Sequence, residues 1–391
     1  MKKTVLLRAP VLSISGYGVH ARQVARWLFS KADESGNLDV TTELLNWGQT
    51  PWYTDVYGQD DLIGRCLQAS SNEKNLYDVT IQLQLPNEWC PELGKFNVGM
   101  TAGVEADRCN PAWIDCINKM NLVIVPSKFT KEVFENSGKV TTPIAVVPES
   151  FFDYVLKSDE ASPLDLNLET KFNFLIFGQM TGGDAASDRK NLPFTVKWLS
   201  ETFAGNPDVG IILKTNAGRF TEADKHVCLN SLTQLLQQIN KQANPKIYLL
   251  HGEMSEEEVV GLYKHPTVKA LVSLTHGEGF GLPLLEAAAC GVPIITSGWS
   301  AHTEFLNLGK YIKIETKSGA IPQSRVDGQI WMQGAQWGMP DEQDFKKRAM
   351  RFYEDSSTPR LLAKDLKEKL RKSHNFKAIA RIYDDVLASI L

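Results

Sequence analysis

The chain has 391 residues, 43% of them hydrophobic and 23% charged, with a formal net charge of −4. These values describe a globular protein of about two ordinary domains and exclude a disordered chain. They provide no global attraction for nucleic acid or anionic lipid, so either partner would need a local basic surface.

The first residues, "MKKTVLLRAPVL", imitate a signal peptide briefly, but Arg8 and Pro10 break the apolar run. No segment approaches the roughly 18 uninterrupted apolar residues of a membrane span. The six cysteines (Cys66, Cys90, Cys109, Cys116, Cys228 and Cys290) form no C-x-x-C pair and have no histidine at zinc spacing. The expectation is a cytoplasmic chain with reduced thiols and no metal site.

In chain order, "TVLLRAPVL" reads as a buried strand, followed by the glycine turn "SGYG" and the helical pattern "VHARQVARWLFSKA". "DVTIQLQL", "FNVGMTA", "NLVIVPS" and "PIAVVPES" are further strand-like runs separated by helical stretches. The polar segment "DYVLKSDEASPLDLNLETK" interrupts this alternation. It restarts with "FNFLIFGQM", "DVGIILKT", "KIYLLHGEM", "VKALVSLTH", "VPIITSG" and "KYIKIET". Strands alternating with helices predict two α/β units with parallel sheets, joined near residues 155–170.

Several segments offer chemistry. Gly16 and Gly18 allow a tight turn and a close backbone approach to a ligand, with a helix start behind them; a purely structural strand-to-helix turn needs the same residues. "PNEW" (Asn87, Glu88, Trp89) and "TAGVEADRCNPAW" (Glu105, Asp107, Arg108, Trp113) put polar and aromatic groups at strand ends, suited to sugar stacking or to a buried indole with capped loops. Arg189 and Lys190 in "DRKNLPFTVKWL" stand beside a helix start, as a diphosphate site or a surface pair, after the glycine-rich "GQMTGGDAASD", which reads as a mobile loop. Lys214 closes a strand, where ligands of open α/β sheets collect. Between Arg360 and Arg381, eight Lys or Arg face two Asp or Glu, either a solvated helix face or a stripe for phosphate, membrane or nucleic acid.

The most informative stretch is "HGEGFGLPLLEAAACGVP". Glu278 lies in a glycine loop and Glu286 in the apolar helix that follows. Gly279, Phe280 and Gly281 would present backbone amides at the helix start, and Pro283 is tolerated in the first turn. Hydroxyl acceptors beside anion donors suit a polyhydroxylated, phosphorylated ligand such as a sugar nucleotide. A helix cap would still have to give a half-buried carboxylate its partners.

"EGFGLPLLE" resembles the E-x7-E signature of retaining glycosyltransferases of the GT-B fold, family 4 in particular. "LHGEMSEEEVVGLYKHPTVKALVSLTHGEGFGLPLLEAAACGVPIITSGWSAHTEFL" resembles that family's C-terminal domain. "DRKNLPFTVKWLSETF" is similar to its R-K-N element, and "NLVIVPSKFTKEVFENSG" to the end of its N-terminal domain. The resemblance implies a Rossmann-like acceptor domain (1–160), a Rossmann-like donor domain (161–372) and a terminal helix (373–391) crossing back to the first, with the two domains facing each other across a donor cleft.

It further implies transfer of a sugar from a nucleoside-diphosphate sugar, UDP- or GDP-linked, to an acceptor hydroxyl, without cofactor or metal. Glu286 would hold the donor ribose, Glu278 the transferred sugar, and Arg189 with Lys190 the pyrophosphate, with Gly16 and Gly18 closing over it. Gly279, Phe280 and Gly281 meet the donor at the helix start, with Lys214 as a further donor contact. Many members carry an Arg directly after the glycine ending the first donor-domain strand. Gln179 stands there in this chain, and Arg189 would replace that cation. The acceptor side falls to Asn87, Glu88, Trp89 and Glu105, and no catalytic histidine is assigned. A saccharide or glycolipid acceptor leads. A hydroxymethylated base of phage DNA is a second class and a small metabolite a third; outside catalysis, the alternative is a sugar-nucleotide-binding protein without activity. Peripheral membrane contact would run through the basic 360–381 stretch.

Overall fold

The computed structural model describes residues 2–72, 74–180, 184–238 and 245–391. They form two compact units. The first comprises 1–104, 108–150 and 376–391, and the second 105–107 with 151–375.

The first unit runs β1 (Lys3–Ala9), α1 (Gly16–Ser35), β2 (Leu38–Leu44), α2 (Leu62–Ala69), β3 (Tyr77–Leu83), β4 (Gly94–Met100), α3 (Pro111–Ile117), β5 (Leu122–Val125), α4 (Lys128–Ser137) and β6 (Ile144–Val146). Its six strands form one parallel sheet in the order β2-β1-β3-β4-β5-β6. Val5, Leu7, Val79, Ile81 and Val98 are buried, as continuous apolar strands covered on both faces must be. The edge strand β2 was not anticipated, because "LDVTTEL" mixes polar and apolar residues and only half-buries.

The second unit runs β7 (Phe172–Phe177), α5 (Leu192–Thr202), β8 (Val209–Lys214), α6 (Glu222–Gln238), β9 (Lys246–Leu250), α7 (Glu256–Tyr263), β10 (Val268–Ser273), α8 (Leu282–Ala289), β11 (Ile294–Ser297), α9 (His302–Leu306) and β12 (Ile312–Ile314). These strands form a second six-stranded parallel sheet, ordered β12-β11-β10-β7-β8-β9. An antiparallel hairpin follows, β13 (Thr316–Ala320) and β14 (Gln336–Pro340), then α10 (Glu342–Glu354) and α11 (Ser357–Ser373). The segment after Ser150 belongs to this unit: Leu164 N–H donates to Gly261 O at 3.0 Å, and Arg371 donates to Asp159, Ser158 and Val155.

The last helix, α12 (Phe376–Leu387), returns to the first unit. Its apolar face, Ile379, Tyr383 and Leu387, is part of that unit's core beside Trp27 and Leu28. Trp27 Nε1 also donates to Asp384 at 2.9 Å.

Both sheets turn back on themselves. In the second unit the chain leaves β7 towards β8 and β9, then restarts on the other flank at β10. The β7/β10 boundary is therefore a topological switch point, where the loops beyond the strand ends part and ligands of such sheets bind.

Candidate functional site

Two loops of the second unit meet at that switch point. After β7 comes the segment ending in Asp188–Asn191, and after β10 the segment Leu274–Gly281. Residues 181–183 of the expected mobile loop lie outside the described residues. The two loops are stitched by backbone: His276 N–H donates to Arg189 O at 2.9 Å, and Asn191 Nδ2 donates to Leu274 O at 2.9 Å. Asn191 adopts a left-handed φ of 56° before α5, a conformation asparagine tolerates better than most residues. Asp188 accepts the Leu192 N–H at 2.8 Å and so caps that helix.

Lys190 Nζ donates to both carboxylate oxygens of Glu278, at 2.7 and 2.8 Å. Arg189 Nη1 donates to Gly277 O at 2.6 Å and lies 3.5 Å from Glu278, while its Nη2 lies 3.3 Å from Glu105. Glu278 is only 6% exposed. Burial pushes its carboxyl up, but Lys190 and Arg189 outweigh burial and hold it at about 2. Arg189 shows the complementary balance: burial opposes its charge, and Glu105, Glu278 and Asp188 restore it. At neutral pH the Glu278 carboxyl is therefore ionised, facing both Lys190 and Arg189.

The Glu278 backbone is held as firmly. Its N–H donates to Ser300 Oγ at 2.9 Å, and Gly281 takes a φ of 104° to start α8. A Cβ on Gly281 would lie 3.0 Å from His302 Cβ, so this glycine is required by conformation and by space. Phe280 is a core residue against Phe305. His276 is stacked on Trp337 at 5.1 Å and donates through Nδ1 to Gly338 O, anchoring β14 to the loop. Glu286, 8% exposed on α8, is hydrogen-bonded by the Tyr263 hydroxyl.

Lys214 stands at the end of β8, the neighbour of β7, with its Nζ donating to Gly252 O. Burial lowers its pKa.

In the first unit, Gly16 has open space where a Cβ would be, and Gly18 has Ser13 O at 1.8 Å from that position. Ser15 Oγ accepts the Gly18 N–H, and Arg22 donates to Val11 O and Ser13 O, so the turn is rigid. Asn87 and Glu88 are exposed, whereas Trp89 is buried with its ring lying over Gly99. Glu105 is grouped with the second unit, 3.3 Å from Arg189, whereas Asn87–Trp89 belong to the first unit. The basic 360–381 stretch loses two of its cations inward, because Lys367 and Arg371 both pair with Asp159.

Residues 230–321 match the family described as group 1 glycosyl transferases, a span that includes Glu278 and Glu286. The chain is 28% identical over 127 residues to a probable sucrose-phosphate synthase of Thermosipho melanesiensis. That match covers 32% of this chain and 27% of the relative, so the chain spans about a quarter of the length of the curated relative it matches. Two solved structures align along nearly the whole chain. The sucrose-phosphate synthase of Thermosynechococcus elongatus has a TM-score of 0.64 at 14% identity, covering 99% of this chain and 100% of that one. Anabaena HepE, in complex with UDP-glucose, has a TM-score of 0.61 at 13% identity, covering 99% of each chain.

The fold is that of the GT-B glycosyltransferases. In this GT-B chain, the Arg189/Lys190/Glu278 cluster occupies the switch point of the C-terminal Rossmann-like domain. Sequence reasoning had named all three residues, but it missed the parts that place them: Asp188 as cap, Asn191 as brace, Ser300 under the Glu278 amide and Tyr263 on Glu286. A serine, a tyrosine and an asparagine at unremarkable spacings carry no signal of partners that lie 22, 23 and 83 residues away. Among the described residues, no helix is long and apolar enough to cross a membrane.

Proposed function

We propose that the protein is a retaining, family 4 glycosyltransferase that moves a sugar from a nucleoside-diphosphate sugar to an acceptor hydroxyl without a metal. One observation carries the proposal: the Lys190–Glu278 ion pair at the switch point, whose buried carboxylate stands eight residues before a second buried carboxylate, Glu286. Glu286 binds the ribose hydroxyls, Glu278 the hydroxyls of the transferred sugar, and Lys190 the diphosphate, with Arg189 fixing the loop and adding charge. The amides of Gly279, Phe280 and Gly281 add donors at the start of α8. Lys214 is a further donor contact.

The electrostatics of Glu278 favour this over a hydrolase-type division of labour. A carboxyl held at about 2 carries no proton at neutral pH and is too weak a base to take one from a hydroxyl. The acceptor oxygen instead attacks the face from which the diphosphate departs, and the departing phosphate oxygen takes the acceptor's proton. The protein supplies charge stabilisation of that leaving group and orientation of the acceptor. The Anabaena relative's UDP-glucose makes UDP-sugars the first donors to try, and a saccharide or glycolipid the first acceptor class, with Asn87 and Glu88 as exposed contacts.

The test is thermal stabilisation by a panel of UDP-, GDP-, ADP- and TDP-sugars, with slow donor hydrolysis followed in parallel. One donor should stabilise the wild type, and Glu286→Ala should weaken its binding by about 1–3 kcal/mol, the cost of lost hydrogen bonds to a charged group. Equal donor affinity in wild type and variant rejects the ribose role. Silence across the panel rejects the enzyme reading in favour of another role.

A further inference from the structure

Asp224, Cys228 and His251 offer a carboxylate oxygen, a thiol sulfur and a ring nitrogen that all lie within 4.8 Å of one another. From this juxtaposition we propose a binding site for a thiophilic divalent cation of the zinc class, at the carboxyl end of β9 and distinct from the Lys190–Glu278 cluster.

The donors come from two elements. Asp224 and Cys228 are four residues apart on α6, so they share one helix face, and His251 is the first residue after β9. All three are sheltered: the side chains of His251 and Asp224 are 5% and 10% exposed, and Cys228 is fully buried. The carboxylate is already organised, with Asp224 accepting the amides of Ala217 and Arg219 at 3.0 Å each and His251 Nε2 at 2.7 Å. The imidazole nitrogen is thereby aimed at the carboxylate, whose Oδ2 takes both Ala217 and His251, while Oδ1 takes only Arg219 and keeps a lone pair.

A tetrahedral ion with bonds of about 2.0–2.3 Å separates its ligand atoms by roughly 3.3–3.7 Å. The closest pair, at 2.7 Å, opens slightly and the widest closes by about 1 Å, within the range of side-chain rotation. Sulfur and nitrogen donors select zinc-class ions over magnesium or calcium. The charges also balance, since a dication cancels one carboxylate and one thiolate. Binding moves two protons: the metal–sulfur bond replaces the S–H bond of Cys228 and that proton goes to solvent, while His251 Nε2 gives up the hydrogen it donates to Asp224 and the neutral ring carries its one proton on Nδ1 instead. The fourth position stays open for water or another ligand. Lys214 donates to Gly252 O, the residue after His251, so the ion would also stiffen the turn that holds this lysine. The sequence scan missed the set because His251 lies 23 residues beyond Cys228, on another element.

The experiment uses the full chain stripped of metal by a chelator and titrated with Co2+, whose thiolate complex absorbs in the near ultraviolet, and then with Zn2+ by equilibrium dialysis. Wild type should take up about one equivalent of each and show the thiolate-to-cobalt band. Zn2+ should also raise its melting temperature. Cys228→Ser should lose the band, and His251→Asn should weaken uptake by at least tenfold, with both variants folded in metal-free buffer by circular dichroism. If Cys228→Ser does not fold, His251→Asn decides the question through uptake alone. No cobalt band in the wild type, or unchanged uptake in the variant that folds, overturns the site.

Discussion

Lys190 and Glu278 form a two-pronged ion pair, at 2.7 and 2.8 Å, between loops 88 residues apart in sequence. The pair joins the loop after β7 to the loop after β10, so it is part of the fold at the switch point as well as part of the proposed donor site. Breaking a buried pair leaves a charge without its partner, whereas removing both charges does not.

Lys190→Met should therefore destabilise the protein by about 3 kcal/mol, at the low end of the range for buried pairs because the lysine side chain keeps 17% exposure. Glu278→Gln in the same chain should recover most of that loss, while turnover in the double variant stays lower by orders of magnitude. Urea unfolding of the two single variants and the double variant gives the coupling. Additive losses would show that the pair contributes no interaction of its own.

The acid side of the stability profile carries the same pair. Glu278 has a folded-state pKa of about 2, below the ordinary glutamate value of roughly 4.3. The stability it contributes is present above that ordinary value and is lost as the pH falls towards about 2. The gap in unfolding free energy between wild type and Glu278→Gln should narrow steadily through this window and stay constant at higher pH. A gap independent of pH down to the acid end would mean that the two cations do not hold this carboxylate.

The two glycines of the first unit differ in what packs against them. Gly18→Ala would place a methyl group 1.8 Å from Ser13 O, a backbone atom held by Arg22, so the turn must break. Gly16→Ala meets nothing within 4 Å, and exchanging glycine for alanine in a helix is intrinsically favourable by up to about 1 kcal/mol. Melting curves should show a large loss for the first variant and no loss for the second. Equal losses in the two variants would mean that the Ser13 contact does not set the difference.

The alternation of strands and helices, the two α/β units and the strand–glycine loop–helix around Glu278 and Glu286 were all legible, because buried parallel strands are near-continuous apolar runs and glycine loops mark their ends. What escaped was whatever depends on partners distant in sequence. β2 is polar enough to hide as an edge strand, and the hairpin β13–β14 has little apolar alternation, although Trp337 at its centre supports His276. Trp89 read equally as a sugar platform or a core indole, since an aromatic residue at a strand end looks the same in either role. Its cover by Gly99 is a property of the neighbouring strand, which local sequence does not reveal.

A second buried ionisable group predicts behaviour at the alkaline side. In the first unit, His20 Nε2 lies 3.0 Å from the Tyr383 hydroxyl, and its Nδ1 lies 3.7 Å from Glu149. Burial pushes His20 down to about 4 and Glu149 up to about 8, so both are neutral near pH 7 and their contact is no ion pair. For Glu149 the folded state keeps a proton that the unfolded chain gives up near pH ~4.3. The stability from this protonated carboxyl is complete below that value and is lost as the pH rises through about 8. Glu149→Gln keeps the group neutral at every pH and should flatten this decline, so the variant should be the more stable protein near pH ~9 and differ least near pH ~4. His20 is present in both proteins, so its own loss of stability on acidification, from its ordinary value down to about 4, cancels from the comparison. Urea midpoints of the two proteins across that range decide the matter. Parallel curves would place the Glu149 carboxylate, charged, in contact with a proton donor.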